Sequence, residues 1–143
     1  VVLVKTVILD LVLACLLGGM MFIPIVVAPT VFKVLDGAQA SAFLRRMFVG
    51  YYRYVMIGSA LAAGLLYQDW VAALAMAAVA ASTAYVLFVY MPKLNAWRDA
   101  ELAGDEAAKA KFAAGHRATV ILNAVQMLII IGIVIGRGLG MLA

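Results

Sequence analysis

The chain has 143 residues, of which 68% are hydrophobic and 13% charged, with a formal net charge of +4. Soluble proteins average about 45–50% apolar and roughly 25% charged residues, so this composition excludes a soluble protein and indicates an integral membrane protein. A spanning helix needs about 20 apolar residues. The length therefore predicts an all-α, four-helix membrane bundle in one domain, residues 1–143.

The first predicted span covers about residues 3–28 and carries one acid. Proline removes a backbone donor and clashes with the preceding turn, so a kink is predicted near Pro24. A carboxylate at the centre of a membrane costs about 2.5–3.5 kcal/mol, so Asp10 is expected to point into the bundle or toward water. Its expected partners are Lys5, the turn around Gln68, or another subunit. A structural role and a proton relay both stay open.

The second predicted span, about residues 47–67, has one face that combines arginine with small residues. At the helical period this face holds Arg46, Gly50, Arg53, Ile57, Ala60 and Gly64. Arg46 and Arg53, with the neighbouring tyrosines, either contact an anion or lipid phosphate or act as an anchor at the membrane interface. Ala60 and Gly64 allow close approach of a partner helix.

The third predicted span, about residues 70–91, is rich in alanine and is expected to stop at Pro92. Before it, "YQDW" at residues 67–70 predicts a tight polar turn with aromatic residues at the membrane interface. After it, the charge-mixed segment 95–117 predicts short helices on the membrane surface, with a break near Gly104.

The fourth predicted span, about residues 116–138, has two distinct faces. One carries His116, Thr119, Asn123 and Gln126, which with Asp10 form a predicted polar stripe inside the membrane. The other carries a predicted packing ridge of Gly132, Gly136 and Gly140. The polar stripe either forms hydrogen bonds between helices or lines a polar path, and the spacing alone leaves both interpretations open.

Basic residues are distributed unevenly between the two sides of the predicted bundle. The segments around the connections from span one to two and from span three to four hold Lys33, Arg45, Arg46, Lys93, Arg98, Lys109, Lys111 and Arg117. The opposite side holds only Lys5 and Arg137. The positive-inside rule therefore predicts cytoplasmic loops, both termini on the non-cytoplasmic side, and a bacterial inner membrane. Anionic lipid head groups explain the positive charge better than nucleic acid does.

Motifs for catalysis, cofactors and metals are missing from the sequence. His116 is the only histidine, whereas bis-histidine haem ligation needs two. Cys15 is the only cysteine, so neither an intrachain disulfide nor a zinc cluster is expected. No hydrolase, phosphate-loop or zinc-protease motif is present. We expect no enzyme activity and no cofactor. Eight methionines keep a copper(I) interpretation as an alternative, although methionine also fills irregular helix packing.

Four stretches resemble a known family: "GGMMFIPIVVAPTVFKVL" (18–35), "MFVGYYRYVMIGSALAAG" (47–64), "MPKLNAWRDA" (91–100) and "FAAGHRATVILNAVQMLII" (112–130). They are similar to the transmembrane-protein-205-like family, small four-span proteins classed as a domain of unknown function. That family is similar in architecture to copper-resistance membrane proteins. The resemblance rests on Gly18, Phe22, Ala28, Pro29, Phe32, Phe48, Tyr52, Asn95, Arg98, His116, Asn123 and Gln126. It implies the four-span architecture, and for animal members a role in drug or metal tolerance.

Two functions are compatible with these patterns. The first is a non-enzymatic accessory or structural subunit that packs, through its small-residue surfaces, against a larger membrane complex or a second copy. The alternative is a small transporter or channel component for a metal ion or small cation. In that case Asp10, Arg53, His116, Asn123 and Gln126 would line the path, and an oligomer would be needed to enclose it.

Overall fold

The protein is described by a computed structural model that covers residues 2–142 and is helical throughout, apart from short connections. Two π-helical turns, Ile23–Val27 and Val86–Tyr90, join successive α-helices without a break, so the chain forms four long rods. The α-helices are α1 (Val2–Phe22), α2 (Ala28–Val34), α3 (Gly37–Leu65), α4 (Trp70–Tyr85), α5 (Met91–Leu102) and α6 (Glu106–Gly138).

Short connections join the four rods, and each connection ends in an aspartate that caps the next helix. Short connections make successive helices antiparallel neighbours. The aspartate carboxylates accept backbone N–H groups of the next first turn, which have no partner within the helix. Asp36 accepts from Gln39, Asp69 from Ala72, and Asp105 from Ala107 and Ala108. The turn predicted at residues 67–70 is confirmed.

Three of the rods are long and apolar enough to cross a membrane: Leu3–Val34, Trp70–Leu102 and Glu106–Gly138. α3, which holds the second predicted span, is also long, but Arg53, three tyrosines and three glycines between residues 47 and 65 lower its hydropathy. The fold therefore establishes an all-helical protein with three helices suited to a bilayer.

The helices continue past Pro92, where the predicted third span stops, and begin before His116, where the predicted fourth span starts; the bounds of the spans stay predictions. Pro92 does not stop the third rod, because the π-helical turn Val86–Tyr90 directly before it accommodates the missing N–H and the helix continues into α5. The expected surface helices instead extend the third and fourth rods, and the predicted break occurs at Gly104, whose φ is +98°. A rod of 33 residues is about 50 Å long, compared with a hydrocarbon core of about 30 Å, so its ends project beyond the bilayer core.

At the position of the kink predicted near Pro24, the structure has a π-helical turn between α1 and α2. α1 packs against α3 and α6, whereas α2 makes its helix contacts with α3. The buried side of α1 follows the helical period with Leu9, Leu13, Leu16 and Met20. These residues belong to a core shared with α3, α4 and α6.

Candidate functional site

A cavity of about 580 Å³ lies between α2, α3, α5 and α6. It occupies the half of the bundle near connections 35–36 and 103–105, which we call the basic end because eight of the eleven lysines and arginines lie around it. Small-molecule sites in proteins are mostly apolar cavities of about 300–1,000 Å³ with a few polar groups. This cavity, hereafter the pocket, has the size of such a site.

One wall of the pocket is an aromatic cluster on α3. The rings of Phe48 and Tyr52 stack with centroids 5.9 Å apart, and the Tyr51 ring lies 5.3 Å from that of Tyr52. Positions 48, 51 and 52 share the inward face of the helix because they are three or four residues apart. Tyr51 and Tyr52 are buried, whereas Arg53 is exposed to the outside of the bundle.

Hydrogen bonds between α3 and α6 fix the side chains that line the inner part of the pocket. The Tyr51 hydroxyl donates to Asn123 Oδ1. The Tyr52 hydroxyl is hydrogen-bonded to Thr119, whose own hydroxyl donates to the backbone carbonyl of His116 at 2.7 Å. These bonds satisfy the buried hydroxyl groups and fix the tyrosine rings against the cavity.

The rim of the pocket carries two arginines, each bound to an acid. Arg45 on α3 donates to both carboxylate oxygens of Asp99 on α5, at 2.5 and 3.3 Å. Arg98 donates to Glu101 at 2.8 Å, and its guanidinium lies 5.3 Å from the centre of the Phe112 ring. Such contacts hold planar guanidinium groups in fixed positions.

α5 and α6 approach each other closely at Gly115, beside the rim. A Cβ at this position would lie 2.6 Å from Leu94 Cδ2, 3.1 Å from the Trp97 ring and 3.2 Å from the Tyr90 hydroxyl. Nearby, the ring of His116 stacks on Phe112 with centroids 6.1 Å apart. The pocket is therefore closed on the side where α5 meets α6.

The pocket opens sideways between α2 and α6. Phe32 on α2 and Val120 on α6 both line it, yet they are 68% and 53% exposed. This opening therefore faces outward from the bundle.

The predicted polar stripe divides into three parts. His116, Thr119 and Asn123 line the pocket. Gln126 lies deeper and donates across to two hydroxyls on α4, those of Ser82 and Thr83, at 2.9 and 3.1 Å.

Asp10, the fifth member of the stripe, lies at the end of the bundle away from the pocket. It accepts from Arg137 at 3.0 Å. The expected pairing of Asp10 with Lys5 or the turn around Gln68 is wrong, because Lys5 instead donates to Gln68 at 2.7 Å. The stripe is therefore not one continuous surface.

The predicted contact of Arg46 and Arg53 with an anion or lipid phosphate stays a prediction. Both arginines are exposed on the outer face of α3, and within residues 2–142 neither has a hydrogen bond or ion pair with another side chain. Sequence reasoning missed Arg45 as a site residue. Its spacing of three and seven residues from Phe48 and Tyr52 was the available signal, since that spacing puts all three on one helix face.

The predicted glycine ridge on the fourth span is also wrong in part. α6 ends at Gly138, and Gly140 lies beyond it in a turn with φ +70°. A Cβ at Gly136 would meet Leu142, which folds back on the helix, at 2.9 Å. At Gly132 and Gly64 an added Cβ has no described atom within 4 Å. Ala60 is likewise exposed.

Different glycines make the close contacts between helices. A Cβ at Gly19 would lie 2.7 Å from the Tyr54 ring, and one at Gly58 would lie 2.7 Å from Leu16 Cδ2. Both contacts join α1 to α3. Close packing through small residues is therefore present, but at positions that the sequence spacing did not select.

Metal-ligating side chains do not cluster in the part of the chain that the structure describes. Within residues 2–142, no three His, Cys, Asp or Glu side chains are near enough to hold one ion.

A family model described as a domain of unknown function (DUF4149) matches residues 11–102, which is more than half of the chain. The matched region includes the pocket walls on α2, α3 and α5, whereas α6 lies outside it. No curated protein and no solved structure shows significant similarity to the chain.

Proposed function

Because the chain belongs to the DUF4149 family, whose function is unknown, we propose its role from the geometry of the pocket. The protein is a non-enzymatic membrane protein that binds a small amphipathic molecule at the basic end of its helix bundle. The observation that carries this proposal is the cavity of about 580 Å³ with aromatic and aliphatic walls, a polar rim and a sideways opening. Cavities of this kind bind molecules that have one apolar and one polar part.

Binding is favoured over catalysis because several polar groups of the pocket are already bonded to other side chains. Tyr51 is bound to Asn123, and Arg45 to Asp99. Nucleophilic catalysis needs a base hydrogen-bonded to the attacking group. In the described chain the ring of His116 contacts a phenyl ring, and no hydroxyl, thiol or carboxylate is hydrogen-bonded to it.

Native mass spectrometry of the full chain, incubated with amphiphiles and released from detergent, tests this function. We expect one bound molecule per chain. Ala124→Trp fills the pocket beside its opening and is expected to abolish the bound species. Val125→Trp is the matched control, because Val125 is exposed on α6 and does not line the pocket. Equal occupancy of the two variants, or no bound molecule in the wild type, would contradict the proposal.

The topology that we propose has four spans, with the basic end in the cytoplasm and both termini on the other side of a bacterial inner membrane. α3 is long enough to cross, since 29 residues extend about 43 Å. It packs along α4 and buries Tyr51, Tyr52 and Val55 in the shared core. Eight basic residues around the basic end support the orientation.

Cysteine labelling tests this topology. Single cysteines at Gln68 and Ala103, in a Cys15→Ala background, are treated with an impermeant maleimide. Gln68→Cys is expected to react in intact spheroplasts, and Ala103→Cys only in inverted vesicles. Labelling of both positions from the same side would rule out four crossings.

A second candidate function is an accessory subunit that binds another membrane protein or a second copy. The exposed outer face of α3 favours it, because Arg46 and Arg53 lack ion-pair partners among the described residues and Ala60 and Gly64 leave open space for a helix. Crosslinking through Gly64→Cys, with Leu128→Cys on the exposed side of α6 as control, tests this role in native membranes. A chain that remains monomeric and uncrosslinked at position 64 would contradict it.

Transport of a metal ion or small cation stays the alternative prediction. The relation to transmembrane-protein-205-like and copper-resistance proteins also stays a prediction. A path through the bundle would need rearrangement or an oligomer, because Gln126 is bound to α4 and Asp10 to Arg137. Liposomes with the purified protein, compared with an Asn123→Leu variant, test flux. Retention of copper(I) on purification tests the copper interpretation.

A further inference from the structure

We propose, resting on the pocket's function as an amphiphile site, that its ligand carries an anionic head and one hydrocarbon chain. The head is a carboxylate or a phosphate at the rim between Arg45 and Arg98. The chain enters sideways between α2 and α6 and lies along the aromatic wall toward Asn123.

Shape supports a chain-like ligand. On α6 the pocket extends from Phe112 to Met127, which at about 1.5 Å per residue is a length of about 22 Å. Between these ends the walls are largely apolar, with Leu44, Phe48, Met91 and Leu94 contributing side chains. The Tyr51 hydroxyl is already bound, so this wall offers its ring to the ligand. A long apolar lining favours a hydrocarbon chain over a compact polar molecule.

Charge at the rim supports an anionic head. An arginine has five N–H donors. Arg98 uses one nitrogen, Nη1, for its bond to Glu101, and Arg45 uses Nη1 and Nη2 for Asp99. Donors therefore remain on both groups, and the ion pairs hold the two guanidiniums in position to bind a carboxylate or phosphate.

The net charge of the wider basic end is also positive. Its eight lysines and arginines outnumber the five nearby acids, Asp36, Asp99, Glu101, Asp105 and Glu106. A surplus of positive charge around a low-dielectric cleft attracts anionic ligands and repels amines. An anionic head is therefore favoured over a cationic head.

The opening indicates where the ligand comes from. Phe32 and Val120 border a gap in the side of the bundle, and the π-helical turn that contains Pro24 lies directly before α2. π-helical turns are frequent at functional sites. An amphiphile in the surrounding leaflet can thus insert its chain through the gap while its head stays at the level of the arginines.

Native mass spectrometry with ligands of identical chain length tests the inference. The full chain in detergent is titrated with hexadecanoate, hexadecyl phosphate, hexadecanol and hexadecylamine. We expect the two anions to bind at least about tenfold more tightly than the alcohol or amine, because a hydrogen bond to a charged group supplies that much. Lysophosphatidic acid, which has one acyl chain and a phosphate head, forms a further arm, which separates a membrane lipid from a free fatty acid as the source of the head.

Variants of the rim test the assigned position of the head. Arg98→Gln is expected to remove the preference for anions while hexadecanol still binds, and Arg98→Lys to restore part of it. Arg46→Gln is the matched control, because Arg46 lies outside the pocket. If Arg98→Gln does not fold, the binding of anions and of hexadecanol is compared in Arg98→Lys and Arg45→Gln instead. Equal binding of alcohol and acid by the wild type would overturn this inference and leave the proposed function intact, whereas binding of none of the ligands would overturn both.

Discussion

Replacing Gly58 or Gly64 by alanine is expected to change stability in opposite directions, although both lie on α3. At Gly58 the new Cβ would lie 2.7 Å from Cδ2 and 3.1 Å from Cγ of Leu16, which is 1% exposed. Leu16 can shift only toward a cleft of about 210 Å³ that it borders together with Gly58, so the expected cost is at the low end of that of overpacking, about 1 kcal/mol. At Gly64 the Cβ has no described atom within 4 Å. There alanine is expected to stabilise the helix by about 0.5–1 kcal/mol.

The expected difference between the two variants is therefore about 1.5–2 kcal/mol, for the same chemical change on the same helix. Unfolding by sodium dodecyl sulfate in mixed micelles, followed by circular dichroism, measures the free energy of unfolding of each variant. A neutral Gly58→Ala would show that α1 and α3 are not tightly packed at Leu16. A destabilising Gly64→Ala in the purified chain would show that this surface is occupied, and so would refute its assignment as open space.

Three further changes test the polar contacts by the same unfolding measurement. Gln126→Leu removes two interhelical hydrogen bonds and is expected to cost about 1 kcal/mol, at about 0.6 kcal/mol each; a loss above about 3 kcal/mol would contradict this assignment. Tyr51→Phe removes the bond to Asn123 and is expected to cost about 0.6 kcal/mol, and an unchanged unfolding curve together with unchanged ligand binding would argue against that bond. Asp10→Asn takes a carboxylate from Arg137, and because the Asp10 side chain is 57% exposed and solvent screens the pair, it is expected to cost about 0.2–1 kcal/mol. The double variant of Asp10→Asn and Arg137→Gln tests the contact itself. If its loss of stability equals the sum of the losses in the two single variants, the two groups do not interact.

Local features of the chain could be read from the sequence because they depend on residues near one another. Composition identified a membrane protein, and three helices suited to a bilayer confirm that class. The tight turn at residues 67–70 and the break near Gly104 were predicted from residue type. The extension of the third rod past Pro92 was not predicted, because it depends on the π-helical turn directly before the proline.

The pocket could be predicted only in fragments. His116, Thr119 and Asn123 were identified because the helical period puts them on one face of α6. The sequence analysis selected Arg46 and not Arg45. Adjacent residues of a helix point about 100° apart, so Arg45 lies at the rim of the pocket and Arg46 on the outer surface.

The sequence by itself determined the class of the protein, the number of its long helices and the face shared by its polar residues. Only the tertiary structure decided which helix each face meets: Asp10 binds Arg137 at the other end of the chain, and Gly58, not Gly64, receives a leucine. The physical reason is that lipid is as apolar as the protein core, so hydrophobicity does not separate the buried side of a membrane helix from its exposed side. That choice depends on shape and on the relative rotation of the rods, which contacts between distant residues fix.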